Sequence, residues 1–180
     1  MRYELIAIDL DGVLANFTKA AAEVHNIELP SGILDYGFLY SKFESKGDFW
    51  KKCHSHDFWA SIPKYPWSDE LVSIIAKSGN PFIFLTQAPM GTGAWSGKAA
   101  WIQKHFGKYQ NRLWIVREDK KMHTGKSLVA GPNRLLIDDK DKNIMDWFER
   151  GGQGFQWCEM TEDCLDKAEA YLGKIKELVS

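Results

Sequence analysis

The chain has 180 residues, 44% hydrophobic and 26% charged, which suits one globular domain, or one domain carrying an insertion, and not a disordered chain. A net charge of −1 argues against attraction to a nucleic-acid polymer or an acidic membrane through bulk electrostatics. No apolar stretch approaches the length of a membrane span, and no signal peptide precedes the first apolar run, so a soluble cytoplasmic protein is expected.

The chain opens with Leu5-Ile6-Ala7-Ile8-Asp9-Leu10-Asp11-Gly12. A short run with β-branched residues, closed by Asp-Gly, predicts a buried strand of a parallel sheet. Ligands in such sheets collect at the carboxyl ends of the strands, where Asp9 and Asp11 sit. Two carboxylates this close repel each other; unless they merely cap a turn, they recruit a hard cation, share a proton, or do both.

Residues 17–25 have the pattern of an amphipathic helix. The stretch that follows is irregular and aromatic, with Pro30-Ser31-Gly32, Phe49-Trp50 and Phe58-Trp59. Roughly fifty residues is too long for a plain connection, since most run to about 4–6, and it reads as a helical cap over residues 16–66. The core is then residues 1–15 and 67–180. Within it the spacing predicts a helix over 67–77 with Ser68 as N-cap, and a strand over 81–86. A flexible loop with Gly91, Gly93 and Gly97 leads to a helix over 98–106. Strands follow over 112–117 and 134–138, then a helix over 142–149, a short strand over 155–157 and a last helix from Thr161. Strands alternating with helices predict an α/β fold, a three-layer sandwich on a Rossmann-like parallel sheet.

Three further signals stand at strand ends or beyond them. The Thr86 hydroxyl, with the backbone N–H groups of the turn after it, can hold a phosphate oxygen. Asp138-Asp139 closes an apolar strand, and Asp138 can join Asp9 in offering oxygens to Mg²⁺. One of Asp139 and Asp141 is expected to cap the next helix. Lys126, in Gly125-Lys126-Ser127, does not complete a phosphate-binding Walker loop, because the first glycine would fall at Lys120. It can instead neutralise a nucleophile and a transferring phosphoryl group. Lys120 and Lys121 read as solvated.

Asp9-Leu-Asp11-Gly12, Thr86, Lys126 and Asp138-Asp139, in this order, resemble the four motifs of the haloacid dehalogenase superfamily of phosphohydrolases. Asp9 to Phe17, Ile62-Pro63 with Pro66, Lys98-Ala-Ala-Trp101 through Gly107, and Leu135 to Asp139 are similar to the 5′(3′)-deoxyribonucleotidases. The resemblance implies Asp9 as nucleophile, forming an aspartyl-phosphate, and Asp11 as general acid and then base. It implies Mg²⁺ at Asp9, Asp138 and the backbone carbonyl of Asp11, with Asp139 in support, and phosphate contacts from Thr86, Gln87 and Lys126. Gln87 stands where the family has Ser. Phe17, and less directly Phe49 and Trp50, are expected to line the substrate pocket. The implied partner is a small phosphomonoester, a nucleotide first, and a homodimer is allowed for. A superfamily phosphatase of sugar phosphates would keep every motif, and a catalytically idle binding domain is disfavoured by the intact motifs. Cys53, Cys158 and Cys164 show no CxxC spacing, which suits a reducing compartment, and Cys53-His54-Ser-His56 lacks the second ligand pair of a soft-metal site.

Overall fold

The computed structural model describes residues 2–30, 36–89, 91–117, 125–157 and 162–180. Ser31, Gly32, Lys120, Lys121, Cys158 and Thr161 lie outside the described residues, as does the Cys164 side chain.

Among the described residues, five parallel strands form one sheet in the order β3-β2-β1-β4-β5: β1 (Leu5–Ile8), β2 (Phe82–Gln87), β3 (Leu113–Val116), β4 (Arg134–Asp138) and β5 (Gln153–Gln156). The alternation of side chains along each strand explains the layers. Ile6, Ile8, Phe82, Phe84, Leu135 and Ile137 join the larger core cluster, whereas Ala7, Ile83, Leu85 and Leu136 join a second cluster. The first is covered by helices α5 (Ser68–Lys77), α6 (Thr92–Phe106) and α8 (Glu162–Val179), through residues such as Leu71, Ile102 and Ile175. The second is covered by α7 (Asp141–Phe148) through Ile144 and Trp147. A sheet buried on both faces needs apolar residues at consecutive positions, as the strand sequences show.

Among the described residues, four helices stand between β1 and α5: α1 (Phe17–His25), α2 (Tyr36–Tyr40), α3 (Lys46–Lys51) and α4 (His56–Ser61). The chain enters and leaves this segment side by side. Asn16 N donates to Pro63 O at 2.8 Å and Tyr65 N to Leu14 O at 3.0 Å. Its interior is aromatic, with Phe49, Phe58 and Trp59 buried.

Several predicted boundaries move, each for a tertiary reason. Helix α6 begins at Thr92, so Gly93 and Gly97 are helical and not part of a flexible loop. A Cβ on Gly93 would meet His54 O and approach His56 N to 2.9 Å, and one on Gly97 would meet the Trp59 side chain and His56 O at 2.6 Å. Glycine lets α4 lie directly on α6. Ser68 does not cap α5; Trp67 is the N-cap residue, and Ser68 Oγ donates to Leu14 O at 2.7 Å. Neither Asp139 nor Asp141 caps α7, whose N-cap residue is Lys140. Asp138 Oδ1 instead accepts from Lys140 N at 3.0 Å and Asn143 Nδ2 at 2.9 Å. The fifth strand lies two residues earlier at its start than predicted, at Gln153.

Candidate active site

Asp9, Thr86 and Asp138 stand at the carboxyl ends of β1, β2 and β4, three neighbouring strands. The chain leaves β1 for β2 on one side while β4 lies on the other, so this is the crevice where an open parallel sheet takes ligands.

The loop after β1 is a tight, clamped turn. Leu10 O accepts from Leu14 N at 2.8 Å and Ala15 N at 2.7 Å, and Trp67 Nε1 donates to Val13 O at 2.8 Å. Gly12 has φ +85°, and a Cβ there would press on the Asp139 carboxylate, reaching its Cγ at 2.5 Å. Any larger residue would displace the Asp139 carboxylate from this position.

Carboxylate oxygens of Asp9, Asp138 and Asp139 lie within 4.8 Å of one another, and this is the one such group of three potential metal ligands among the described residues. Cys53, His54 and His56 form no comparable group; His56 Nδ1 pairs instead with Ser96 Oγ at 2.9 Å. Lys126 Nζ enters the acidic group, at 2.7 Å from Asp9 Oδ2 and 2.5 Å from Asp138 Oδ2. All three side chains are buried. Burial pushes the Asp9 carboxyl up, to about 6; Lys126 pulls it down, and Asp138 and Asp11 add to the rise. Burial alone draws the Lys126 ammonium down, but the facing Asp138 and Asp9 carboxylates reverse this and hold it above its ordinary value. Three hard oxygen donors around one cationic position suit a small hard divalent ion.

Asp11 is oriented differently. Its side chain is not in the acidic group; Oδ2 instead accepts from Lys98 Nζ. Lys98 is buried, also donates to Thr86 Oγ1 at 2.9 Å, and holds its ammonium 4.6 Å from the Trp59 ring centroid. Sequence reasoning gave Lys98 no role. Lys98-Ala-Ala-Trp101 carries part of the family resemblance without a role for the lysine itself, and the fold turns its ammonium inward to Asp11 and Thr86.

The predicted pocket residues are all found together in the aromatic segment. Phe17 stacks on Trp59 at 5.4 Å, with Trp50 5.8 Å and Phe49 6.3 Å away. Trp50 is half-buried and parallel to Trp59 at 6.4 Å. Phe49 is fully buried against His25, Tyr40 and Phe43, so its ring supports the cluster from within. Gln87 is half-buried at the end of β2, where its carbonyl accepts from the Thr86 hydroxyl at 3.3 Å.

The family model described as 5′ nucleotidase, deoxy (pyrimidine), cytosolic type C protein matches residues 3–158. The chain belongs to that family. It is a 5′-nucleotidase-like hydrolase of the haloacid dehalogenase type, and the fold agrees. A predicted phosphatase from Clostridium acetobutylicum superposes with a TM-score of 0.62 at 13% identity, covering 98% of this chain and 100% of that one. A haloacid dehalogenase-like hydrolase from Streptococcus pneumoniae gives 0.54 at 15% identity, over 91% and 90% of the two chains. The HAD-hydrolase YfnB from Bacillus subtilis, solved bound to magnesium, gives 0.54 at 12% identity, over 86% of each. No curated protein sequence matches the chain at a significant level.

Proposed function

We propose that this nucleotidase-family phosphatase is Mg²⁺-dependent, acts through an aspartyl-phosphate on Asp9, and takes (deoxy)ribonucleoside monophosphates as substrates. The observation that carries the reading is the separation of the two motif carboxylates. Asp9 faces Lys126 and the acidic group, whereas Asp11 faces Lys98 and Thr86.

Asp9, with one oxygen fixed by Leu10 N at 2.7 Å, attacks phosphorus in line through the other and carries the phosphoryl group. Asp11 gives its proton to the leaving oxygen, then removes one from the water that opens the acyl-phosphate. Its place outside the acidic group leaves it able to exchange protons. Thr86 and Lys126 hold phosphoryl oxygens. Asp9, Asp138 and Asp139 would hold Mg²⁺, with the Asp11 carbonyl completing the set. When bound, Mg²⁺ supplies the charge neutralisation that lets an anionic nucleophile meet a phosphate.

Residues 16–66 act in this reading as a cap, covering the site and choosing the leaving group. The aromatic cluster reaches the chemistry through Trp59, which lies over Lys98. That supports a flat leaving group, as does the family description. The same description and the sparse cysteines support a cytosolic setting; a homodimer remains part of the proposal. Among the described residues no helix is long and apolar enough to cross a membrane.

Phosphate release from nucleoside monophosphates, sugar phosphates and p-nitrophenyl phosphate tests this directly. Turnover should vanish with a chelator and return with Mg²⁺. Asp9→Asn should abolish it with the fold intact. Full activity without metal, or in Asp9→Asn, sinks the mechanism; preference for a sugar phosphate sinks the substrate class alone.

A further inference from the structure

Lys98 lies about two turns into α6 and is 2% exposed. Sealing an ammonium from water is costly unless its partners are well placed, and an apolar side chain of similar length is often the more stable choice. Stability is therefore a weak reason for a lysine here. Its contacts suggest a better one. The ammonium bonds Asp11 Oδ2 and Thr86 Oγ1, and the Trp59 ring lies over it. These partners come from the loop after β1, from β2 and from α4, so one rigid point gathers three elements. Asp11 keeps 26% of its side chain exposed, and water alone could solvate it. Without Lys98 the carboxylate would be free to rotate about its side-chain bonds.

We propose that Lys98 is a positioning residue, pinning Asp11 Oδ2 and the Thr86 hydroxyl so that Asp11 Oδ1 is the oxygen that serves the leaving group. This rests on the phosphatase reading above. No new bond chemistry is involved: the proton that Asp11 carries goes to the departing oxygen as the P–O bond breaks and the Asp9–phosphorus bond forms. Lys98 fixes where that proton is delivered, and Trp59 fixes Lys98 from the far side.

The test compares two substrates of one size and different leaving ability. Phenyl phosphate expels a basic phenolate that needs a proton, while p-nitrophenyl phosphate expels a stable anion. Lys98→Met should lower kcat/KM for phenyl phosphate by about 10²-fold, the low end of what a general acid supplies, and lower it far less for p-nitrophenyl phosphate. Any effect through Thr86 falls on both substrates equally, so the ratio reports Asp11. In Lys98→Ala, where the truncated side chain leaves room for it, ethylamine should restore the phenyl phosphate rate saturably. In an Asp11→Asn background Lys98→Met should leave the substrate ratio unchanged, because the two residues act as one unit.

Equal losses on both substrates with no amine rescue overturn the positioning role. Should Lys98→Met lack the wild-type circular dichroism spectrum, Lys98→Arg is compared instead; it keeps the charge but displaces it, and the same split in substrate ratio is expected, with equal losses again overturning the role. A wild-type chain inactive on every phosphomonoester overturns the phosphatase reading and this inference with it. An active wild type with an unsplit ratio overturns only the role of Lys98.

Discussion

Lys126 holds its ammonium 2.7 Å from Asp9 Oδ2, and both side chains are almost wholly buried. This one cation offsets only part of the charge it faces, since Asp138 shares it. Burial therefore lifts the Asp9 carboxyl from 3.8 to about 6. The folded, metal-free protein binds this proton more tightly than the unfolded chain does. The contribution of Asp9 to stability is thus fully present below pH 4 and is lost as pH rises to about 6. The span corresponds to about 3 kcal/mol. Urea unfolding in a chelator should show Asp9→Asn gaining on the wild type by up to that amount between pH 4 and pH 7. A pH-independent difference between the two proteins would show that Asp9 titrates normally.

The second prediction concerns the backbone that brings Asp139 to Asp9. Gly12 has φ +85°, a left-handed conformation that costs a residue with a side chain about 1–2 kcal/mol, and its missing Cβ is the space Asp139 uses. Gly12→Ala should lower the melting temperature and weaken Mg²⁺ binding at least tenfold in a calorimetric titration. Unchanged melting and unchanged affinity would mean that Asp139 takes no part in holding the ion.

How much of this was readable in the sequence follows from what kind of force places each residue. Asp9, Thr86 and Asp138 end apolar strands, so strand pattern alone puts them at one edge of a parallel sheet. Helix α1 carries its own punctuation, Asn16 accepting from Lys19 N at 3.0 Å, and its bounds are those predicted. Lys98 was hidden because its burial depends on the angle between α6 and the sheet, which no local pattern encodes. Gly93 and Gly97 looked like loop glycines for the same reason: their function is to admit the backbone of α4, and α4 is remote in sequence. Asp139 reads as a cap beside Lys140 and Asp141, yet its neighbour across space is Gly12.

A third expectation concerns Cys53. It is fully buried, its sulfur is 3.9 Å from His25 Nε2, and burial pushes its thiol up to about 12. At pH 8 almost no thiolate forms, and thiolate is the reactive species. Iodoacetamide should leave Cys53 unmodified in the native protein and modify it fully in urea, as read by peptide mass mapping. Rapid native alkylation at Cys53 would show that the helical segment opens readily.

The last prediction separates a stacking site from a mere aromatic core. Phe17 is 5% exposed and Phe49 0%, whereas Trp50 is half-buried. Truncating a buried Phe costs about 3–5 kcal/mol in cavity and lost burial, so Phe17→Ala and Phe49→Ala should lower the melting temperature and depress turnover of every substrate. Trp50 is the informative position. It lies parallel to Trp59, which in turn covers Lys98 and so adjoins Asp11 and Thr86. A nucleobase stacked on such a ring gains about 1–3 kcal/mol, and each 1.4 kcal/mol is a factor of ten. Trp50→Ala should therefore cut kcat/KM for a nucleoside monophosphate about tenfold or more. Turnover of p-nitrophenyl phosphate, whose single ring sits closer to the phosphate, should change by less than about threefold, roughly 0.6 kcal/mol on the same scale. Equal losses on both substrates, accompanied by a melting temperature that falls as far as in Phe49→Ala, would place Trp50 in the core and remove the structural support for a nucleotide leaving group.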